Sequence, residues 1–435
     1  MYRIVSSLIL YSSIPGDSIL KEMASIYRDL NTEDKASLTE RCYKEVKRIL
    51  DLSTDYGFDR NLWQNYLTFA IITDLNSFSL TAEGNGAAEG GSVNTFALND
   101  FHQFRELFHY DFKPLEEQLG INCFSILTDY HAIAKHEELY DRTVSEIVCS
   151  LSFKLDQCKS DEEFFQLISG HYKNYGAGMF GMNRAFRIKG TGDSLAFIPV
   201  SNPDSIKLSD LVGYERQKET LCANTEAFVK GNKANNVLLY GDAGTGKSSS
   251  IKAVVNEYFD QGLRMIEIYK DQFSDLSNVI ARLKKRNYRF MIYIDDLSFE
   301  ENEVEYKFLK AVIEGGVEKR PDNILIYATS NRRHLIKETW KDRNDMEFDG
   351  DVHRSETMEE KLSLSSRFGV MISYPNPKRQ EYHDIVVQLA KRAGIDMDEK
   401  ELLLKADQWE IRHGGVSGRC AQQFITDLSG RVSLG

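Results

Sequence analysis

The residues of this sequence best suited to chemistry lie in a glycine-rich segment that ends in a lysine and a serine. An apolar run at 236–240 leads directly into the pattern G-x-x-x-x-G-K-S at 241–248. In such a loop the glycines let backbone N–H groups turn towards a phosphate, which also faces the N-terminus of the next helix. Lys247 can reach the β- and γ-phosphates of a nucleotide, and Ser248 can ligate Mg²⁺.

This pattern predicts a Walker A phosphate-binding loop. The alternative is a glycine-rich turn that binds nothing, but the strand-like run before it and the helical pattern of 249–259 after it favour the phosphate loop. Lys247 is therefore a predicted catalytic residue, and Ser248 is a predicted metal ligand. The predicted nucleotide-binding residues of the loop are Gly241, Asp242, Ala243, Gly244, Thr245, Gly246, Lys247, Ser248 and Ser249.

A second apolar run, at 290–294, ends in Asp295 and Asp296. Such a run suits a parallel strand that is buried on both faces, and open α/β sheets bind their ligands at the carboxyl ends of the strands. We expect Asp295 to hold Mg²⁺ directly or through water, and Asp296 to polarise the water that attacks the γ-phosphate. A solvated turn is the alternative, but the preceding phosphate loop favours a Walker B pair.

A third apolar run, at 324–328, ends in Thr329, Ser330 and Asn331. The amide of Asn331 could donate a hydrogen bond to the γ-phosphate or orient the nucleophilic water. Taken alone, the segment is typical of a strand that leaves the core. Because it follows the Walker B run in the chain, we predict that Asn331 is a catalytic residue.

The elements around these motifs fall into two kinds. In the first part of the chain, apolar residues recur with helical spacing, as at 19–30, where Asp17 is the predicted N-cap. A further helix over 101–108 is predicted, capped by Asn99 or Asp100. The second part alternates between strands and helices, which is typical of an α/β domain with a parallel sheet.

Composition excludes several classes of protein. The 435 residues carry a formal net charge of −12, which argues against a generic nucleic-acid binder. The six cysteines are scattered without a C-x-x-C pair, so reduced thiols are expected. The apolar stretch at 4–11 is too short and too interrupted for a signal peptide or a membrane span. We expect a soluble, cytoplasmic protein.

In this order, the three motifs resemble the AAA+ superfamily of P-loop ATPases. The segment 211–215 looks like the one whose backbone contacts adenine, which implies binding by Gly213 and Tyr214. Ser-Ser-Arg-Phe-Gly at 365–369 looks like the element that supplies an arginine finger, so Arg367 would reach a nucleotide held by a neighbouring subunit. Gly418-Arg419 occupies the place of a sensor 2 arginine.

The segments 329–335 and 360–369 resemble more closely an uncharacterised bacterial ATPase family, catalogued as domain of unknown function 815. The resemblance implies an AAA+ P-loop parallel sheet core with a small helical lid, preceded by a mainly α-helical N-terminal region. The expected domains are a helical region of unknown role at 1–175, a connector with a hairpin at 176–204, the nucleotide-binding core at 205–374 and the lid at 375–435.

Some features leave alternatives open. Arg332, Arg333 and Arg412 compete with Arg367 and Arg419 for the two arginine roles. His334 and His353 lack the spacing of a metal site, so no metal beyond Mg²⁺ is expected. Asp295–Asp296 departs from the usual Asp-Glu pair of the superfamily, and the shorter second acid could set the attacking water differently and slow turnover.

Two functions are compatible with these motifs. The first is an oligomeric ATP hydrolase that uses ATP and Mg²⁺ to remodel or load a protein or nucleic-acid partner. The second is a slowly hydrolysing, ATP-dependent switch or scaffold. Nucleic-acid handling rests on fold analogy and on basic clusters at 284–286, 319–320 and 332–333, for which a solvated face is the alternative. We expect a homo-oligomer and no membrane partner.

Overall fold

A computed structural model gives the fold of the chain. The residues that it describes are 1–86, 90–132, 142–200, 203–299, 303, 305–314, 321–331, 335 and 364–432. They divide into two compact units, the first made of 1–183 with 199–203 and the second of 184–198 with 204–435. Within the described residues, no helix is long and apolar enough to span a bilayer.

The first unit is helical, which confirms the prediction of a mainly α-helical N-terminal region. Its core combines aliphatic side chains with a cluster of aromatic ones, in which the centroid of the Phe101 ring lies 5.6 Å from that of Phe78 and 5.7 Å from that of Phe164. Its described helices are α1 (Tyr2–Ser6), α2 (Ile19–Asp29), α3 (Lys35–Tyr56), α4 (Leu62–Thr73), α5 (Ser77–Asn85), α6 (Ser92–Phe108), α7 (Lys113–Leu119), α8 (Cys123–Thr128), α9 (Arg142–Asp156) and α10 (Asp161–Tyr175).

Two predicted helix caps in this unit are wrong. Ser18, not Asp17, caps α2, because its hydroxyl accepts the backbone N–H of Lys21. Asp100 lies inside α6, which begins at Ser92, so neither it nor Asn99 is a cap. The carboxylate of Asp100 is fully buried and accepts the backbone N–H groups of residues 9–11, which gives those donors the partners that burial demands.

The second unit is built on a sheet in which seven described strands follow the order β2-β1-β4-β5-β6-β3-β7. The neighbouring pairs β1–β4, β4–β5, β5–β6, β6–β3 and β3–β7 are all parallel. The carboxyl ends of these six strands therefore lie at the same edge of the sheet. The strands are β1 (Ala185–Lys189), β2 (Ala196–Pro199), β3 (Val237–Gly241), β4 (Leu263–Glu267), β5 (Arg289–Ile294), β6 (Ile324–Ser330) and β7 (Val370–Tyr374).

The three apolar runs of the sequence form the centre of this sheet. β6 is buried along its whole length and lies between β5 and β3, which explains why it carries no alternation of apolar and polar residues. The segment predicted as a connector contributes β1, which pairs with β4, and β2, which lies beside β1. These two strands therefore extend the sheet on the side away from β7.

Helices cover the sheet and form a lid after β7. Three lid helices share an apolar core that includes Tyr382, Val386, Leu402 and Phe424. Pro375 follows the last strand, where a residue without an N–H group suits the end of a sheet. The described helices of this unit are α11 (Glu215–Val229), α12 (Lys247–Tyr258), α13 (Leu276–Leu283), α14 (Glu305–Glu314), α15 (Arg379–Arg392), α16 (Glu399–Arg412) and α17 (Gly418–Val432).

The burial of Asp100 yields a prediction about stability. Asp100→Ala leaves three backbone N–H groups without their acceptor, so the free energy of unfolding of the N-terminal unit should fall by about 3 kcal/mol. Asp51→Ala is the matched control, since the ion pair of Asp51 with Lys47 is exposed and its loss should cost about 0.5 kcal/mol or less. Urea denaturation of the full chain measures both, and equal losses would contradict this role for Asp100.

Candidate functional site

A cleft of about 720 Å³ lies at the carboxyl ends of β3, β5 and β6. The loop after β3 forms its floor, and the lid helices α15 and α17 form one of its walls. The parallel sheet places the ends of the three apolar runs side by side, as the sequence predicts. The polar residues that follow these runs therefore share one site.

The loop after β3 is attached to β7 by a close backbone contact. Gly241 has φ +136°, and a Cβ atom there would lie 2.2 Å from the carbonyl oxygen of Tyr374. The N–H of Asp242 donates to that same carbonyl at 3.1 Å. Only glycine permits this approach at Gly241. The loop then turns into α12, which begins at Lys247 and directs its N-terminus at the cleft.

The ammonium group of Lys247 is almost enclosed, since only 6% of the residue is exposed. Its Nζ donates to the carbonyl oxygens of Gly241 at 2.8 Å and Asp242 at 2.6 Å, and to Oδ1 of Asn331 at 3.1 Å. Burial lowers the pKa of this lysine, and the nearby carboxylates, among them Asp296, oppose that shift. The arrangement holds a cation where phosphate oxygens could replace the neutral acceptors.

Asp295 accepts hydrogen bonds from three hydroxyl groups on a single oxygen, Oδ1. The donors are Ser248 at 2.8 Å, Tyr293 at 2.7 Å and Thr329 at 2.6 Å. Partial burial would raise the pKa of this carboxyl, but the hydrogen bonds from Thr329, Tyr293 and Ser248 outweigh it and lower the pKa. The side chain is thus held as a carboxylate beside the serine of the phosphate loop.

Asp296 adopts a left-handed backbone conformation, with φ +48°, that is uncommon for a residue with a side chain. Its N–H donates to Oγ1 of Thr329 at 2.9 Å, and its Oδ1 accepts from Nδ2 of Asn331 at 2.8 Å. Asn331 therefore joins the lysine of the phosphate loop to the second acid. Such strain is a feature of functional sites and needs local hydrogen bonds of this kind to hold it.

The other end of the cleft is largely apolar. Ile206, Leu211 and Val212 line it from the segment before α11, and Ile385 and Leu389 line it from lid helix α15. Such a slot suits a flat aromatic ring, because apolar walls on two sides can bury both of its faces.

Tyr214 borders this apolar end. Its ring stacks on that of Tyr374 with centroids 5.0 Å apart, and its hydroxyl donates to the carbonyl oxygen of Pro375 at 2.7 Å. Burial raises the pKa of Tyr214 to about 12, so the phenol remains a hydrogen-bond donor at neutral pH. Tyr214 therefore ties the segment before α11 to the first residue after β7, where the lid begins.

The lid touches the phosphate loop directly. The N–H of Arg419, in the first turn of α17, donates to the carbonyl oxygen of Gly244 at 3.1 Å. A Cβ atom on Gly244, which has φ +77°, would lie 2.9 Å from the Cβ atom of Arg419. The Arg419 side chain is exposed to the cleft. Any movement of the lid is therefore coupled to the phosphate loop through this contact.

The structure brings most of the predicted site residues together. Gly213, Gly241, Asp242 and Arg367 do not line the cleft: Oδ2 of Asp242 instead accepts the N–H of Asn376 at 2.8 Å, and Arg367 is half-buried ahead of β7. The predicted residues that do line it are Tyr214, Ala243, Gly244, Thr245, Gly246, Lys247, Ser248, Ser249, Asp295, Asp296, Asn331 and Arg419.

The hydroxyls of Tyr293 and Thr329, which donate to Asp295, were not predicted as site groups. A hydroxyl in an otherwise apolar strand could have indicated them, because a buried hydroxyl needs a partner. Gln422 and Gln423, which line the cleft one turn after Arg419 on α17, were not predicted either. The segment 332–334, His353 and the basic pair at 319–320 lie outside the described residues.

No group of three or more histidine, cysteine or acidic residues that could hold a metal occurs in the described part of the chain. The cleft nevertheless offers the Ser248 hydroxyl and the Asp295 carboxylate side by side. Hard oxygen ligands of this kind suit Mg²⁺, which commonly uses only one or two protein ligands together with water and substrate phosphates. The residues therefore fit a magnesium ion that arrives with a nucleotide.

Comparisons with known proteins find local and partial similarities. A stretch of 51 residues is 43% identical to the replication factor C large subunit of Methanococcus vannielii, and it covers 12% of this chain and 10% of that protein. The match thus spans about a tenth of that relative. Among solved structures, the RuvB Holliday junction branch migration motor of Thermotoga maritima is 14% identical, with a TM-score of 0.37 over 53% of this chain and 66% of that one.

A point mutant of the same RuvB is 16% identical, with a TM-score of 0.38 over 53% of this chain and 67% of that one. The family described as "Protein of unknown function (DUF815)" matches residues 181–432, which is more than half of the chain. That range contains the whole sheet, the cleft and the lid helices. The chain therefore belongs to the DUF815 family.

Proposed function

We propose that this protein binds ATP together with Mg²⁺ and hydrolyses it. The observation that carries the proposal is the convergence of three motifs distant in sequence: Ser248 bonds Asp295 at 2.8 Å, and Lys247 bonds Asn331 at 3.1 Å. A buried lysine, a carboxylate and an amide at the N-terminus of a helix are the groups that hold and polarise the phosphates of a nucleotide.

Each of these residues has a role that its geometry supports. Ser248 and Asp295 would hold the metal, which would supply charge neutralisation for the bound phosphates. Lys247 exchanges its carbonyl acceptors for phosphate oxygens. Asp296 orients the attacking water, while Asn331 donates to that water or to the γ-phosphate. These residues act mainly by position and charge, as phosphoryl transfer requires.

The base and ribose occupy the apolar end of the cleft. Ile206 and Val212 on one side, and Ile385 on lid helix α15, can cover the faces of adenine. The ring of Tyr214 borders this space, and the predicted contact of the Gly213 backbone with adenine would need a shift of that segment, since Gly213 does not line the cleft. Arg419 reaches the phosphates from the lid. Binding and release of the γ-phosphate then act on α17, whose first turn is bonded to Gly244.

We further propose a homo-oligomer in which Arg367 completes the site of a neighbouring subunit. The position of Arg367 supports this role, since it lies ahead of edge strand β7 and does not line the cleft of its own chain. An arginine supplied from another subunit stabilises charge that develops in the transition state. Hydrolysis would then depend on assembly.

In this proposal, ATP hydrolysis remodels or loads a protein or nucleic-acid partner, and the helical N-terminal unit recruits it. The local similarity to a replication factor C subunit supports a nucleic-acid partner. Lys284, Lys285 and Arg286 form the basic cluster within the described residues that could contact one. Binding to DNA should then weaken steeply as salt concentration rises.

One observation favours a second candidate, a slow ATP-dependent switch. Asp296 is one methylene shorter than the glutamate usual at this position of the superfamily, and its Oδ1 is bonded to Asn331. A carboxylate that is short and engaged reaches the attacking water poorly. Nucleotide binding would then set a conformation or an assembly, and hydrolysis would only reset it.

The shared-site proposal predicts complementation between two inactive variants. Lys247→Ala and Arg367→Ala should each lower ATP turnover about a hundredfold or more, because one loses phosphate binding and the other loses the neighbour's cation. An equal mixture should recover about a quarter of the wild-type specific activity, since random assembly joins an intact site to an intact arginine at about one interface in four. Phosphate release at several protein concentrations measures this.

Two surface variants are the controls for this experiment. Lys252→Ala removes a lysine from the same helix as Lys247, and Arg412→Ala removes the exposed lid arginine that competed with Arg367 and Arg419 in the sequence, so it also tests that alternative. Both should keep turnover within about twofold of wild type, as expected of surface substitutions. Full activity of Arg367→Ala, or a mixture no more active than its components, would refute the shared site.

The two candidate functions, an ATP hydrolase that works as a motor on a partner and a slow ATP-dependent switch, predict different effects on turnover when Asp296 is replaced by glutamate. If the protein is a slow switch, Asp296→Glu should raise turnover about tenfold, because the carboxylate then reaches further towards the water. If it is a motor tuned to aspartate, the same change should leave turnover equal or lower. Asp296→Asn is the control and should abolish turnover in both cases. The initial rate of phosphate release at saturating ATP decides between them.

A further inference from the structure

A buried phenol stands out in the strand that leads to Asp295. Tyr293 is 1% exposed, and the other described residues from Phe290 to Ile294 are apolar. A phenylalanine would fill the same space, and Phe290 shows that this strand accepts one. A hydroxyl in such a place costs desolvation unless it finds a partner. The Tyr293 hydroxyl donates to Oδ1 of Asp295 at 2.7 Å.

The neighbouring strand provides a direct comparison. Tyr327 on β6 is the register partner of Tyr293 and is also fully buried. Its hydroxyl, however, bonds Asn224 and Thr225 of helix α11, both at 2.9 Å. Tyr327 therefore joins the sheet to a helix, whereas Tyr293 at the same level of the sheet directs its hydroxyl at the acid of the cleft.

The bond from Tyr293 differs from the other two that reach Oδ1 of Asp295. Ser248 belongs to helix α12 and is the proposed metal ligand, and Thr329 belongs to β6 and also accepts the N–H of Asp296. Tyr293 lies in β5, two residues before Asp295, which directly follows the strand, and its hydroxyl reaches the carboxylate at 2.7 Å. The hydrogen bond from Tyr293 to Asp295 joins two residues of one short segment, so a movement of α12 or of β6 need not break it.

This arrangement also determines how Ser248 presents its hydroxyl. The single proton of Ser248 Oγ is directed at Oδ1 of Asp295, which leaves the lone pairs of Oγ for another ligand. Among the described residues, the three hydroxyl donors all end on Oδ1, and Oδ2 receives none of them. A fixed Oδ1 thus orients both the serine lone pairs and the second carboxylate oxygen.

We propose that Tyr293 is a positioning residue for magnesium binding, which it serves by fixing the carboxylate of Asp295 and, through it, the hydroxyl of Ser248. The inference rests on the proposed function and deepens it. Without the phenol, Oδ1 of Asp295 keeps only the hydroxyl bonds from Ser248 and Thr329, which lie on other elements, so the carboxylate and the serine hydroxyl are held less firmly in their common orientation. Replacing Tyr293 should therefore weaken nucleotide binding in the presence of Mg²⁺. The affinity measured without the metal, which comes from the phosphate loop, should not change.

Calorimetric titration of the full chain with the non-hydrolysable analogue AMP-PNP, in Mg²⁺ and again in EDTA, tests this. The readout is the ratio of the two affinities. In Tyr293→Phe the affinity in EDTA should stay within about twofold of wild type, and the ratio should fall about tenfold, as expected for the loss of a hydrogen bond to a charged group. Tyr327→Phe is the matched control and should keep the wild-type ratio.

A second variant keeps the test independent of any loss of stability. In an Asp295→Asn background, Tyr293→Phe should lower the ratio no further, because the phenol acts through the carboxylate. An unchanged ratio in Tyr293→Phe, or an equal fall in Tyr327→Phe, would overturn the inference while leaving the proposed function intact. Absence of AMP-PNP binding by the wild-type chain would overturn both.

Discussion

The positive charge of Lys247 is the constraint around which the second unit is organised. A buried ammonium group is costly unless it is well bonded, and here two loop carbonyls and the Asn331 amide oxygen supply the acceptors. The carbonyls are available because Gly241 lets the loop pass against β7, and Asn331 is available because β6 lies beside β3. The strand order thus brings together the three acceptors that bond the ammonium group of Lys247.

The same cation connects the remaining polar groups of the cleft. Asn331 accepts from Lys247 and donates to Asp296, so a change at the lysine reaches the second acid through one amide. On the other side, the loop carbonyl of Gly244 is bonded to the backbone of Arg419 on the lid. Phosphate binding at Lys247 would therefore affect both Asp296, the acid proposed to orient the attacking water, and the lid helix α17.

Local motifs and long-range contacts differ in how well sequence predicts them. The phosphate loop, Asp295 and Asn331 were predictable, since each follows an apolar run that is typical of a buried strand, and parallel strands bring their carboxyl ends together. Asp100 was placed wrongly, because its partners lie about ninety residues away in the chain and leave no local pattern. The apolar lining from Ile385 depends likewise on how the lid packs.

A crystal structure of the protein with AMP-PNP and Mg²⁺ would show whether Lys247, Ser248 and Asp295 hold a nucleotide and its metal. We expect the β- and γ-phosphates to lie against the loop at 241–248, with Nζ of Lys247 bonded to phosphate oxygens instead of the carbonyls of Gly241 and Asp242. Ser248 should contact the metal, and Asp295 should contact it directly or through water. A nucleotide bound elsewhere, or a Lys247 that keeps its carbonyl acceptors beneath a bound triphosphate, would contradict the proposed nucleotide site.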